Sequence, residues 1–132
     1  MSASSDHRVL VVDDNVDTRL TVELILSSEG YHVSTASNGV EALAQLRTAA
    51  VLPSVILLDL MMPLMDGYQF RAEQRSDPIL SDIPVLIFTA DGNAEDKAAS
   101  LGAAGFLRKP IDLDVLVAEI AAYCSVHAGP LP

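Results

Sequence analysis

The chain is expected to fold as an α/β protein, a doubly wound (βα)5 unit around a five-stranded parallel sheet. Three observations predict it. Five short apolar runs alternate with five helix-like segments along the 132 residues. Several of those runs are almost unbroken in Val, Ile and Leu, as strands covered on both faces are. Acidic or other polar residues then stop the runs at their carboxyl ends, where an α/β sheet carries its ligands.

Taken in order, Arg8 to Val12 (RVLVV) is the first strand, and Asp13 and Asp14 follow it directly. A helix is expected near 15–29, ended by Gly30. On it, Val22, Ile25 and Leu26 make a stripe that can face the sheet, while Leu20 and Leu24 form an adjacent stripe that the core need not use. His32 to Ala36 is a weaker, more polar strand, followed by a helix near 38–48. The third strand, Ser54 to Leu58, is entered through Pro53, where a missing N–H does least harm, and Asp59 follows it. Asp66 and Gly67 open a helix near 67–75. Pro84 to Phe88 is the fourth strand, stopped by Thr89. A short, alanine-rich helix near 94–101 ends at Gly102. Ala104 to Leu107 is the fifth strand, with Lys109 just beyond it. Asp112 can cap the last helix, near 112–125, with an apolar stripe of Leu113, Leu116, Val117, Ile120 and Ala121. The domain is expected over 8–125, with flexible ends at 1–7 and 126–132. Right-handed crossovers place helices on both faces, and the flavodoxin-like strand order 2-1-3-4-5 makes strands one and three neighbours.

Bulk composition narrows the function. A formal charge of −10, from eighteen acids against eight bases, opposes a broad basic surface for nucleic acid or an anionic membrane. The single cysteine, Cys124, cannot make an intrachain disulfide, and no Cys/His metal spacing exists. The start of the chain shows no secretory signal, and the longest apolar stretch, broken by Asp59, is too short to span a membrane. The cytoplasm is the simplest setting. His7, His32 and His127 are scattered and read as surface residues, and Cys124 as a small buried or half-buried one.

Asp13, Asp14 and Asp59 carry the chemistry. A carboxylate at the edge of an apolar core is costly to ionise unless something positive compensates it. Three that share the crevice between strands one and three repel one another and call for a hard divalent cation, with Mg2+ the natural candidate. Asp13 and Asp14 could instead cap the first helix, but Asp59, inside VILLDLMM, has almost no structural reason to be acidic. Thr89 and Lys109 occupy equivalent strand ends. Nucleophilic carboxylate, metal, hydroxyl and ammonium together suit phosphoryl transfer.

The motifs DD at 13–14, DLMMPLMDG at 59–67, TA at 89–90 and KP at 109–110 resemble the response-regulator receiver domain of two-component signalling. The likeness runs from about Arg8 to Cys124 with every motif in order. It implies that Asp59 accepts a phosphoryl group from phosphohistidine on a sensor histidine kinase or a histidine phosphotransfer protein. It implies Mg2+ (with Mn2+ as a substitute) held by Asp14 and Asp59 directly, Asp13 mainly through water, and the Met61 backbone carbonyl. Lys109 would pair with Asp59 and then with phosphoryl oxygens, aimed inward by a cis peptide to Pro110. Thr89 would turn to the phosphoryl group and Phe106 would fill the space it leaves, by packing alone because Phe lacks the hydroxyl of Tyr. Met61 and Asp91 stand where the family tunes phosphoryl lifetime. Leu20 and Leu24 either dock the phosphodonor's helices, as that helix does in the family, or belong to a wide core-facing helix.

So read, the chain is a phosphorylation-dependent signalling switch and not an enzyme beyond its own phosphorylation and dephosphorylation. The rival is a phosphate-independent interaction scaffold of the same fold, which the full set of site residues disfavours. A haloacid-dehalogenase-like phosphatase would need an acid where Met61 stands. A nucleotide-binding module would need glycines in DDNVDTR, where acids oppose pyrophosphate.

Overall fold

The computed structural model describes residues 7–127, with side chains through Cys124. Five strands and five helices alternate: β1 (Arg8–Val12), α1 (Val16–Ser28), β2 (His32–Ala36), α2 (Gly39–Thr48), β3 (Val55–Asp59), α3 (Gly67–Ser76), β4 (Val85–Thr89), α4 (Ala94–Ser100), β5 (Gly105–Arg108) and α5 (Leu113–His127). The strands form one parallel sheet in the order β2-β1-β3-β4-β5, as expected. No helix among the described residues is long and apolar enough to cross a membrane.

The alternation of side chains along each strand divides the core in two. Leu10, Val12, Ile56, Leu58, Val85 and Ile87 point to the face covered by α2, α3 and α4, where Leu43, Leu46, Phe70 and Ala98 meet them. Val9, Val11, Val55, Leu57, Leu86 and Phe88 point the other way, against Val22 and Leu26 of α1 and Leu116 and Ile120 of α5. β3 and β4 are buried at every position, which accounts for their unbroken apolar sequence. Each such Ile or Leu contributes about 1.5–3 kcal/mol by leaving water. β2, at an edge, keeps the polar alternation seen in its sequence.

Helix starts are set by side-chain caps. Asn15, Asn38 and Asp66 accept from the backbone N–H three residues on, and Asp66 forms a full capping box with Gln69. Asp112 accepts from Val115 N–H at 3.1 Å, as expected. Because Asn15 caps α1, neither Asp13 nor Asp14 is spent on that task.

Three details correct the sequence reading. β3, β4 and β5 each lie one residue later than expected, so Asp59 and Thr89 close strands instead of following them. Leu113 is 54% exposed and lies off the α5 stripe, which is continued by Cys124 at the other end. His7 is buried, not on the surface: its backbone carbonyl accepts from His32 N–H at 3.0 Å and its Nδ1 lies 3.4 Å from Ser54 Oγ. His32 is exposed as expected, and the side chain of His127 lies outside the described ones. The expected flexible segments fall mostly outside the described residues as well. On α1 the two stripes separate as predicted, with Val22 and Leu26 buried and Leu20 and Leu24 exposed to 57% and 73%.

Candidate functional site

The polar residues that end the strands open onto one edge of the sheet. β3 is hydrogen-bonded to β1 on one side and β4 on the other, so Asp13, Asp59 and Thr89 end three adjacent strands, and Lys109 follows β5 beside them. An open cleft of about 510 Å3 is lined there by Asp14, Asn15, Asp59, Met61, Thr89 and Lys109, together with Ala90, Asp91 and Lys97.

Asp13 is completely buried and its main chain is held from both sides. Its N–H donates to the Ala36 carbonyl at 3.1 Å, and its own carbonyl accepts from Arg19 Nη1 at 2.7 Å. Oδ1 accepts from Asn15 N–H at 2.9 Å. Oδ2 lies 2.8 Å from Lys109 Nζ, close enough for an ion pair yet not aligned as a hydrogen bond. It is the only buried side-chain polar atom among the described residues with no hydrogen-bond partner. Lys109 offsets part of its charge, but a buried carboxylate oxygen without a hydrogen bond still leaves room for a further positive partner. Asp14, exposed, and Asp59 bring a carboxylate oxygen alongside, and one oxygen from each of the three lies within 4.8 Å of the others. An all-oxygen, triply acidic donor set fits a hard divalent cation such as Mg2+.

Asp59 is 5% exposed, with Oδ1 accepting from Met61 N–H at 3.2 Å and Oδ2 3.8 Å from Lys109 Nζ. Burial pushes its carboxyl up to about 6, and the Asp13 charge adds to the rise, as does a hydrogen bond with Asp14. The Met61 N–H and the Lys109 charge pull the other way without cancelling it. Lys109 lies nearer Asp13 than Asp59, a ranking the sequence did not reveal. Its Nζ also lies 5.1 Å from the Phe88 ring centroid, a cation–π contact. The Lys109–Pro110 peptide is cis.

Thr89 is buried, and its Oγ1 accepts from Asp91 N–H at 3.1 Å. Phe106 is half-buried against the α2–α3–α4 side of the core, with the Arg108 guanidinium 5.4 Å from its ring centroid. Met61 contributes its N–H to Asp59 and leaves its side chain 74% exposed. Sequence reasoning missed Lys97, which reaches the cleft rim by pairing with Asp91. The signal was available: a lysine one turn into a helix, six residues after an acid in the loop before it.

Gly67 explains how Asp59 can lie under a loop. A Cβ at Gly67 would meet the Asp59 carbonyl oxygen at 2.7 Å and Leu60 Cα at 2.8 Å, so only glycine lets α3 begin so close to the end of β3.

Comparison with known proteins decides the family. A family model described as the response regulator receiver domain matches residues 9–121. The chain belongs to the response regulator receiver family. The response regulator PleD of Caulobacter vibrioides is 44% identical over 115 residues, which is 86% of this chain and 25% of that protein. The chain thus spans about a quarter to a half of the length of the curated relatives it matches. Among solved receivers, the chemotaxis response regulator CheY4 of Vibrio cholerae has a TM-score of 0.80 at 32% identity, covering 89% of this chain and 98% of that one. The receiver domain of the sensor histidine kinase PA1611 of Pseudomonas aeruginosa, at 25% identity and a TM-score of 0.81, covers 90% of this chain and 98% of its own and carries a magnesium ion in its active-site cleft. Receiver domains are signalling modules of two-component systems and not conventional enzymes.

Proposed function

We propose that this receiver is a Mg2+-dependent phosphorylation switch in which Asp59 is the phosphoacceptor. The convergence of the Asp13, Asp14 and Asp59 carboxylates on one point, with the Lys109 ammonium 2.8 Å from the buried Asp13 Oδ2, carries the reading. Asp13, Asp14, Asp59 and the Met61 carbonyl would hold the ion, with Mn2+ able to take its place. When bound, the ion neutralises oxygens of the transferring phosphoryl group and the acidic pocket around it.

An oxygen of the ionised Asp59 carboxylate attacks phosphorus on a phosphohistidine. The new O–P bond forms as the N–P bond breaks, and the imidazole leaves with the electron pair. Above pH 7 the Asp59 carboxyl, titrating at about 6, is mainly ionised and nucleophilic. Lys109 moves from the carboxylates to a phosphoryl oxygen, giving a charge-assisted contact. Thr89 exchanges the Asp91 N–H for a hydrogen bond to the phosphoryl group, and the Phe106 ring follows into the vacated space. Phosphorylation adds roughly −1.5 to −2 charges, and turning a two-state element from mostly off to mostly on needs about 5 kcal/mol of differential stabilisation. The Lys109, Thr89 and backbone contacts are the source available to supply it.

The phosphodonor is a histidine kinase or a histidine phosphotransfer protein, docking on the exposed Leu20 and Leu24 of α1. The protein acts in the cytoplasm and catalyses only its own phosphorylation and dephosphorylation. Incubation with acetyl phosphate and Mg2+ tests the reading. The wild type gains one phosphoryl group by intact mass and Asp59→Asn gains none; equal labelling of both, or none in either, refutes it.

A further inference from the structure

The amino-terminal edge of the sheet holds a cavity remote from the acidic cleft, and it follows from where α2 stops. Along β1, Leu10 and Val12 face α2, so by the two-residue alternation of a strand Arg8 lies on the same face. Leu10 is in register with Ser34 of β2, which shares a face with Ala36 of the same core layer. α2 ends at Thr48, and its C-cap Ala49 is already extended. The helix therefore runs out over Arg8 and Ser34 before the strands beneath it do. What remains is a cavity of about 270 Å3, with Arg8, Leu10 and Ser34 on the sheet side, Gln45 and Leu46 on the helix side, and Val51 and Pro53 from the loop that follows.

Its charge is opposite to that of the phosphoacceptor cleft. No acidic residue lines it, although the chain carries eighteen. The chain has eight basic residues. Arg19, Arg71 and Arg75 donate to backbone carbonyls, Arg47, Lys97 and Lys109 pair with carboxylates, and Arg108 lies over the Phe106 ring. Arg8 alone has a side chain with no hydrogen bond, ion pair or ring contact among the described residues. Beside it, Ser34 brings a hydroxyl, and the Gln45 amide is held in place by donating Nε2 to the Thr35 carbonyl at 2.7 Å.

These groups describe an occupant. A guanidinium fork matches the two oxygens of a carboxylate, and one cation compensates one negative charge. A dianion would leave its second charge uncompensated in a chain that already carries −10. Leu10, Leu46, Val51 and Pro53 are matched by hydrocarbon. The volume is just under the roughly 300 Å3 at which small-molecule sites begin, so that hydrocarbon is short. We propose that this cavity binds a short-chain aliphatic monocarboxylate, its carboxylate on Arg8 and its chain between Leu10 and Leu46. The site is independent of the phosphorylation reading and lies at the opposite edge of the sheet from Asp59.

Titration of the 15N-labelled protein with sodium hexanoate, at constant ionic strength and without Mg2+, tests the proposal. Saturable shifts are expected at the amides of Arg8, Leu10, Ser34 and Leu46, with Asp59 and Thr89 unmoved. Each methylene added between butyrate and hexanoate should tighten binding about fourfold. Hexylamine, with the charge reversed, should give no saturable shift. Arg8→Gln and Ser34→Leu replace exposed strand residues, so the fold survives both. The first is expected to weaken hexanoate at least about tenfold and to leave it no tighter than hexanol. The second fills the cavity and is expected to abolish saturation. Shifts that stay linear in hexanoate, an equal response to hexylamine, butyrate binding as tightly as hexanoate, or undiminished binding in either variant overturns the proposal. Shifts of the same amides on dilution, with a dimer by sedimentation, mean that a second copy fills the cavity and also overturn it.

Discussion

Replacing Asp59 by asparagine should make the metal-free protein more stable, although it removes the proposed phosphoacceptor. The side chain is 5% exposed, faces the Asp13 carboxylate, and titrates at about 6 where an unperturbed aspartate titrates at 3.8. A folded-state pKa above the unfolded one means that the native protein binds the extra proton between those values. The slope of stability with pH is then negative there. The penalty of the ionised form is absent below 3.8 and fully present above about 6. At about 1.36 kcal/mol per unit, the penalty is about 3 kcal/mol at pH 8 and falls to about half that at pH 5. The asparagine side chain has the same shape and no charge, and so escapes it. Urea unfolding in EDTA should give the variant a higher midpoint at pH 8, by about 1–3 kcal/mol, with the gain roughly halved at pH 5. A variant no more stable than wild type at pH 8, or a gain independent of pH, would refute the electrostatic account of the site.

Other outcomes follow from the same geometry. Mg2+ should reverse the order, stabilising the wild type by about 2.7 kcal/mol at one hundred times its dissociation constant and Asp59→Asn far less; thermal melts with and without the ion measure this. Lys109→Met removes a charge that lowers the Asp59 carboxyl, so Asp59 should titrate above about 6 by carboxyl 13C NMR. Leu64 holds φ at 67 with 83% of its surface exposed, and Leu64→Gly should gain about 1 kcal/mol in urea unfolding by relieving left-handed strain. Gly67→Ala must push a methyl into the Asp59 carbonyl and Leu60, costing about 1–3 kcal/mol by urea unfolding and slowing labelling by acetyl phosphate.

The sheet and the place of the acids were legible because they follow from local pattern. A short run of Val, Ile and Leu between turn residues reads as a doubly covered strand, and an aspartate at its end then lies at the edge of the sheet. Asp112 as a cap and Leu20 and Leu24 as an unused stripe were readable for the same reason. What depends on distances across the fold was not. The preference of Lys109 for Asp13, the contact of Lys109 with Phe88, and the reach of Arg71 thirty residues along to Leu101 arise only once the layers are packed. Leu113 misled because helical periodicity says which side faces inward but not where the sheet beneath it stops. His7 misled because a polar residue near a chain end reads as solvent-facing, whereas its partners Ser54 and His32 lie on neighbouring segments.

The direction of the five strands has a practical consequence. Every proposed reacting group lies at their carboxyl ends, and four rises of about 3.3 Å separate these from the amino ends. There, a cavity of about 270 Å3 lies among Arg8, Leu10, Gln45, Leu46, Val51 and Pro53. Substitutions that fill it act far enough from Asp59 for their free energies to add independently. The protein can therefore be engineered for robustness from one end and for signal lifetime from the other, with neither campaign undoing the other.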